Sequence, residues 1–380
     1  MERSLTCKTG HDLAVTVRQL VEGCRTLAQD GTVLYTPDGI ASYDALWLRD
    51  FSYMAEYAPE CIPDADLIGC IRFARKHKRE DGWMPDRTYA DGTTCYAAGM
   101  LIAPVGKANL DNTPFWTFMI HSLFGRLPIE EFASFFAQWE PDIARGLALI
   151  PLAENGLVYN DPSDPHSPYG FTDTIGKTGH LFYESLLLWR ACRMAEQMCK
   201  ATGIGTAAKY EASAVKIEEN LMQLYDAESG TFFAADAECK QLDVWGNAYL
   251  IYIGFPVSDA VKESILNWLC AHYDDYSYMG QIRHLPKGEY WERTMIEVLP
   301  EEYQNGAYWA TATGWVMYCL YQKQPQLAAQ MLSEVLNCFE AEGSFECVNE
   351  GYRKLNSFVV SATNVYGGLM RILEEQDETL

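Results

Sequence analysis

Four stretches of this chain, Asn112–Gly125, Val244–Val257, Gly306–Leu320 and Ser357–Met370, contain no Asp, Glu, Lys or Arg. A helix that is apolar all round must be buried on every side. Periodicity marks twelve helices in all: Val15–Leu27, Tyr43–Tyr57, Ala65–Arg79, Asn112–Phe124, Ile129–Leu149, Gly179–Ala201, Ala207–Tyr225, Val244–Ile253, Ser258–His272, Gly306–Tyr321, Gln326–Glu340 and Val359–Glu375. The uncharged stretches fall among the even-numbered helices. Odd-numbered ones are amphipathic: in the seventh, Ala214, Ile217, Leu221 and Leu224 form one stripe, while Lys216, Glu218 and Glu219 face elsewhere. Buried helices alternating with half-exposed ones describe an inner ring wrapped by an outer ring. The expected fold is all-α, an (α/α)6 toroid of six helical hairpins. Strand signals are few and short, for example Gly31–Tyr35 and Gly230–Ala235. No Ser/Gly/Pro-rich linker divides the chain, so residues 1–380 read as one domain.

Composition narrows the partners. Lys and Arg total 29 against 52 Asp and Glu, a formal net charge of −23. That balance argues against nucleic acid, whose binders cluster basic side chains, and against an anionic membrane surface. No apolar run is long enough for a transmembrane helix. Met1-Glu2-Arg3-Ser4 lacks an apolar signal core, so the chain reads as cytoplasmic. Twelve cysteines are scattered from Cys7 to Cys347 without C-x-x-C spacing, as expected of small buried hydrophobes in a reducing compartment. The 10 Trp, 23 Tyr and 16 Phe suit a neutral, hydroxyl-rich ligand, such as a small saccharide. No metal cluster, Walker loop, dinucleotide fingerprint or Ser-His-Asp elbow occurs, and no cofactor is expected. The sequence does not specify an oligomeric state.

The polar residues suited to chemistry gather before, or at the start of, the even-numbered helices. These segments are Trp47-Leu48-Arg49-Asp50, Leu110-Asp111-Asn112, Gly170-Phe171-Thr172-Asp173-Thr174, Asp243-Val244-Trp245-Gly246-Asn247, Tyr303-Gln304-Asn305-Gly306 and Phe345-Glu346-Cys347-Val348-Asn349-Glu350. Parallel inner helices bring them to one mouth of the barrel. An Asp at a helix start also serves as an N-cap, which is the plainer reading of Asp111 and Asp243. An Arg49-Asp50 pair beside Trp47 is costly to bury without partners, and a sugar's hydroxyls supply them; a structural ion pair is the alternative.

Asp173 lies in a long loop, Tyr159–Thr178, among Tyr169, Phe171 and Ile175. Apolar surroundings raise a carboxyl pKa and keep it protonated, as a general acid requires. Asp161 and Asp164 compete for the role in the same loop. Glu346, with Glu350 as its rival, precedes an uncharged helix. Two carboxyls facing across a bound glycoside are the minimum equipment for hydrolysis. Trp47, Trp245, Tyr308 and Trp309 would line a closed funnel that admits a chain end. Trp83 and Asp86, in Trp83-Met84-Pro85-Asp86, are further candidate sugar contacts.

At these residues the chain resembles the six-hairpin glycosidases, the (α/α)6-barrel glycoside hydrolases that include glucoamylase, neutral trehalase, the debranching glucosidase and the alkaline/neutral invertases. Trp47-Leu48-Arg49-Asp50-Phe51-Ser52 resembles their W-x-R-D-S segment, whose Arg and Asp hold the sugar in the −1 subsite. Asp111-Asn112-Thr113-Pro114 is similar to their D-x-x-P helix start. Residues 173–186 resemble the general-acid loop and the helix after it. Tyr303-Gln304-Asn305-Gly306-Ala307-Tyr308-Trp309 is similar to Y-x-N-G-x-x-W. Phe345-Glu346-Cys347-Val348-Asn349 with Ser361-Ala362 resembles the region that carries the general base. The likeness runs over roughly residues 40 to 370. It implies an inverting hydrolase with Asp173 as acid and Glu346 as base, and a sugar held by Arg49, Asp50, Asp111, Asn112, Asn305 and the aromatics. The chain departs from the pattern in two places: no G-x-D-W surrounds Asp173, and no P-x-T-G follows Glu346.

Two other functions fit such a toroid. An epimerase or isomerase needs bases that shuttle a proton at carbon, often His, and His166, His180 and His284 are its candidates. A sugar-binding protein without turnover is the third reading.

Overall fold

A computed structural model describes residues 5–378. Met1–Ser4, where the sequence shows no signal core, lie outside the described residues. The helices are α1 (Cys7–Gly23), α2 (Leu48–Tyr57), α3 (Asp64–Lys76), α4 (Asn112–Leu123), α5 (Ile129–Ala148), α6 (Phe182–Thr202), α7 (Ala207–Asn220), α8 (Val244–Tyr252), α9 (Asp259–Ala271), the single turn α10 (Tyr273–Tyr276), α11 (Thr313–Tyr321), α12 (Pro325–Glu342) and α13 (Val359–Glu378).

Six of them close a ring. α2 packs on α4, α4 on α6, α6 on α8, α8 on α11, α11 on α13, and α13 returns to α2. The helices between them, α1, α3, α5, α7, α9 and α12, pack around the outside. The uncharged stretches are the inner staves: every residue of α8 is buried, as is every residue of α11 but Tyr321. α7 is half-buried through Tyr210, Ala214 and Ile217. The fold is thus the expected (α/α)6 toroid. Its strands are confined to short pairs and one small three-stranded sheet between helices.

Small residues and local polar groups set the joints. A Cβ on Gly368 would lie 2.4 Å from the Cα of Gly314, so α11 and α13 meet backbone to backbone. Asp243 caps α8 by accepting from Gly246 N at 3.0 Å, and Ser258 caps α9. Inside the ring Arg190 of α6 holds Glu56 of α2 and, at 3.0 Å, the hydroxyl of Tyr249 in α8.

Several expected helix starts are extended chain instead. Tyr43–Trp47 is not helical: Ala45–Trp47 pair with Arg87–Tyr89, which pair with Thr94–Cys95. Gly179–His180 pair with Tyr159–Asn160, so α6 starts at Phe182. Gly306–Trp309 do not open the tenth predicted helix. Trp309 exchanges backbone hydrogen bonds with Ile282, and Tyr308 with Val348, which delays α11 to Thr313. The first helix begins at Cys7, not Val15, capped by Thr6, and Arg25–Leu27 form a strand with Val33–Tyr35. In each case hydrogen bonds to a distant strand, or a local cap, outweigh the periodic pattern.

Candidate active site

A cavity of about 330 Å³ opens at the end of the ring where α2, α6, α11 and α13 are entered. Its wall includes Trp47, Arg49 and Asp50 from the start of α2, Gly170, Phe171, Asp173 and Thr174 from the loop before α6, Tyr303 before α11, and Glu346 and Phe358 before α13. Five of the residues expected at the site thus meet in one space: Trp47, Arg49, Asp50, Asp173 and Glu346.

Asp173 follows a single 3-10 turn, Gly170–Thr172, and its backbone carbonyl accepts from Ser167 Oγ at 2.9 Å. Gln304 Nε2 donates to its Oδ1 at 2.8 Å. Burial pushes the Asp173 carboxyl up to about 7, against the opposing pull of Arg49 and the Gln304 bond. Near neutral pH this group holds a proton it can give away. Asp161 and Asp164 stand elsewhere: Asp161 caps a turn at Ser163, and Asp164, exposed, pairs with Lys107.

Glu346 is set differently. Tyr43 Oη donates to its Oε1 at 2.8 Å, and Lys354 Nζ lies 2.9 Å from its Oε2. Lys354 also donates to Tyr43 Oη at 2.9 Å and sits 3.7 Å above the Tyr303 ring. Burial raises the Glu346 carboxyl above its ordinary range, while Lys354 and Tyr43 favour its charged form. Glu350 is exposed and lines none of the cavity.

The Arg49-Asp50 pair divides its work. Arg49 turns away from Asp50 toward two other carboxylates: Nη2 to Asp86 Oδ1 at 2.5 Å, and Nε to Asp111 Oδ2 at 3.1 Å. Asp111 also accepts from Gly170 N at 2.8 Å, tying the acid loop to α4. A Cβ on Gly170 would lie 1.8 Å from Arg49 Nε, so only glycine fits there. Asp50 is left facing the cavity, and burial pushes its carboxyl up to about 8. Trp47 Nε1, closed to solvent, has no protein acceptor.

The remaining expected contacts stand behind the wall. Asp86 is fully buried between Arg49, Arg87 and Asn109. Trp83 stacks on His166 at 5.2 Å and donates to Asn109 O. Asn112 Nδ2 bonds Met84 O and Tyr96 O. Trp245 is buried on His284, centroids 3.9 Å apart. Asn305 holds Trp291 N and Val298 O, while Tyr308 packs with Cys338, Phe345 and Val348. Trp309 packs edge-on to Phe171 and donates to Tyr303 O. These residues shape the cavity through the ones that line it.

The histidines an isomerase would need do not face one another. His180 pairs with Asp236 and packs edge-on against Tyr159; His284 is buried against Trp245, bonds the Phe171 backbone and is held far below its ordinary range by burial. None of His166, His180 or His284 lines the cavity.

Residue-type reasoning passes over Tyr43, Arg87, Phe171, Tyr303, Gln304 and Lys354. Phe171, Tyr303 and Gln304 lie inside segments already singled out, so their signal is adjacency. Arg87 follows Asp86 and lays its guanidinium 4.5 Å over the Trp47 ring. Tyr43 and Lys354 carry no local signal at all. All twelve cysteines are unpaired, and most are buried. Among the described residues no three His, Cys, Asp or Glu side chains gather as a metal shell requires, and no described helix is long and apolar enough to cross a membrane.

No protein-family model and no curated protein matches the chain in sequence. Solved structures do match. The GH63 mannosylglycerate hydrolase of Thermus thermophilus, in complex with Tris and D-glycerate, superposes with a TM-score of 0.64 at 14% identity, over 93% of this chain and 99% of that one. The fold is that of the (α/α)6 glycosidases. A metal-independent α-mannosidase from Streptococcus pneumoniae, bound to α-1,6-mannobiose, gives 0.64 at 10% identity, over 97% and 95% of the two chains. The GH78 rhamnosidase of Bacillus sp. GL1 gives 0.64 at 13% identity, over 95% of this chain and 34% of that longer one. At these identities the likeness is one of fold.

Proposed function

We propose that the chain is an inverting, exo-acting glycoside hydrolase that cleaves a small α-linked saccharide, with Asp173 as general acid and Glu346 as general base. One observation carries this reading. Two carboxyls share a cavity in opposite settings: Asp173 against a neutral amide and raised to about 7, Glu346 against a lysine and a tyrosine hydroxyl. Carboxyls held in such different surroundings suit the acid and base roles. The fold neighbours, a mannosylglycerate hydrolase, an α-mannosidase and a rhamnosidase, support it.

In this reaction Asp173 gives its proton to the glycosidic oxygen as the bond from that oxygen to the anomeric carbon breaks. A water bonds to the anomeric carbon from the other face and passes a proton to Glu346. Lys354 and Tyr43 orient the Glu346 carboxylate. Asp50 offers hydrogen bonds to sugar hydroxyls, and Arg49, fixed by Asp86 and Asp111, sets the cavity floor. A space of about 330 Å³ suits one or two sugar rings. We place the enzyme in carbohydrate metabolism in the cytoplasm, where twelve unpaired cysteines stay reduced.

The test is a screen of aryl glycosides and disaccharides, with NMR of the first product anomer. Release of the inverted anomer supports the assignment. Retention would make Glu346 a nucleophile instead, and binding without product would identify a sugar-binding protein.

A further inference from the structure

The cavity changes character from floor to rim. Its deepest groups, Asp50, Asp173 and Glu346, are 5%, 8% and 3% exposed. At the rim stands a hairpin in which Ala98–Met100 pair with Ala103–Val105. Its base is fixed: Ala98 N donates to Asn109 Oδ1 at 2.9 Å, and Arg87 bonds the carbonyls of Ala97 and Gly99. Gly99 and Val105 line the cavity itself. The tip is apolar and open, with Met100, Leu101 and Ile102 exposed by 65%, 57% and 90%. Leu101 shares an adjoining crevice with Asp44 and Tyr89, both of which also line the cavity.

Ile296, 45% exposed, is also part of the cavity wall. Its neighbour Met295 donates its N–H to Thr174 O at 2.7 Å, so this segment is bonded to the chain right after Asp173. The group that an acid protonates leaves on the acid's side, where Ile296 is part of the wall. The arginines of the cavity wall are not free to meet an anionic leaving group. Arg49 and Arg87 are tied to Asp86 and Asp111, and Asp44 adds an exposed carboxylate. Contiguous exposed apolar surface beside a cavity marks a binding surface.

We infer that this rim receives an uncharged, apolar leaving group, so that the substrate is a glycoside with an alkyl or aryl aglycone. The inference rests on the hydrolase reading and changes its substrate in one respect, placing an apolar aglycone where a second sugar would stand. The occupant is the outer part of the substrate because the apolar side chains continue the wall of the reaction cavity.

The experiment uses the full chain and the sugar identified in the screen. Turnover is measured for the methyl, butyl and hexyl glycosides and for the same sugar linked to glycerate. We expect kcat/KM to rise about fourfold for each methylene buried and the glycerate glycoside to be the poorest substrate. The double variant Leu101→Ser, Ile102→Ser, at an exposed tip that leaves the core untouched, flattens the alkyl series and spares the methyl glycoside. A flat series in the unaltered chain, or an unchanged slope in the variant, overturns the inference. So does sedimentation in which the variant only splits a dimer. Binding of the same series to Asp173→Asn separates the two readings. Affinity that rises with alkyl length without any turnover in the unaltered chain keeps the rim and sinks the hydrolase. Flat affinity sinks the rim.

Discussion

Gln304 donates from Nε2 to Asp173 Oδ1 at 2.8 Å, and it has no freedom to do otherwise. Its Oε1 accepts the backbone N–H of Thr174 at 2.9 Å and the Thr174 hydroxyl at 2.6 Å. A backbone N–H only donates, so the amide is oriented and Oδ1 is occupied as an acceptor. The proton of Asp173 therefore resides on Oδ2. Gln304→Met removes the donor that favours the charged carboxylate. The alkaline limb of kcat/KM should move to higher pH, and activity at pH 6 should fall about tenfold as the acid loses its alignment. An unmoved limb would reduce Gln304 to a loop tether.

The unaltered enzyme should show a bell-shaped kcat/KM. Asp173 must be protonated, so activity is lost as pH rises through about 7. Glu346 must be charged, and its carboxyl is raised by burial, so the acid limb lies above the range of an ordinary glutamate. The two limbs belong to the coupled pair. Asp173→Asn and Glu346→Gln should each lower kcat by about 10²–10⁴-fold while sugar affinity survives, read by calorimetry. Full activity in either variant rejects that residue's role.

Asp50 is a stability statement as well as a proposed ligand for sugar. Its folded carboxyl is raised to about 8, against about 3.9 in an unfolded chain. A raised acid contributes stability that is complete below the unfolded value and lost as pH climbs through the folded one. Asp50→Asn abolishes that loss. The variant should melt a few degrees above the parent at pH 8 and close to it at pH 4.5, with turnover lost. A melting difference that does not grow with pH contradicts the burial argument.

Gly170→Ala should be among the most damaging single changes. The added methyl overlaps Arg49 Nε and drives the guanidinium off Asp111. Breaking a buried pair this way costs about 3–5 kcal/mol. Denaturant unfolding should report that loss, together with loss of activity. A variant of parental stability would mean the acid loop yields freely.

The ring is legible in the sequence because it needs only a crude signal. Stretches without charge, separated by striped helices, dictate an inside and an outside. Helix starts are less legible, since Trp47 and Trp309 are drawn into strand pairs with residues far along the chain. At the site, segment order locates the correct end of the barrel but not the layer. Asp86, Asp111 and Asn112 are of the same types as true wall residues, yet their polar atoms are spent on Arg49, Gly170 N and backbone carbonyls. Tyr43 and Lys354 are invisible because 311 positions separate two groups that meet only after the fold is made.

The ring closes where α13 returns to α2. Tyr43 stands just before α2, and Glu346 with Lys354 just before α13, so Glu346 and the two groups that hold it straddle that seam. During synthesis Asp173 and its loop emerge before Glu346 and Lys354. A chain that stops short of residue 346 carries Asp173 and lacks the Glu346 proposed to work against it. On the proposed roles, competence is thereby deferred until the segment before α13 meets the segment before α2.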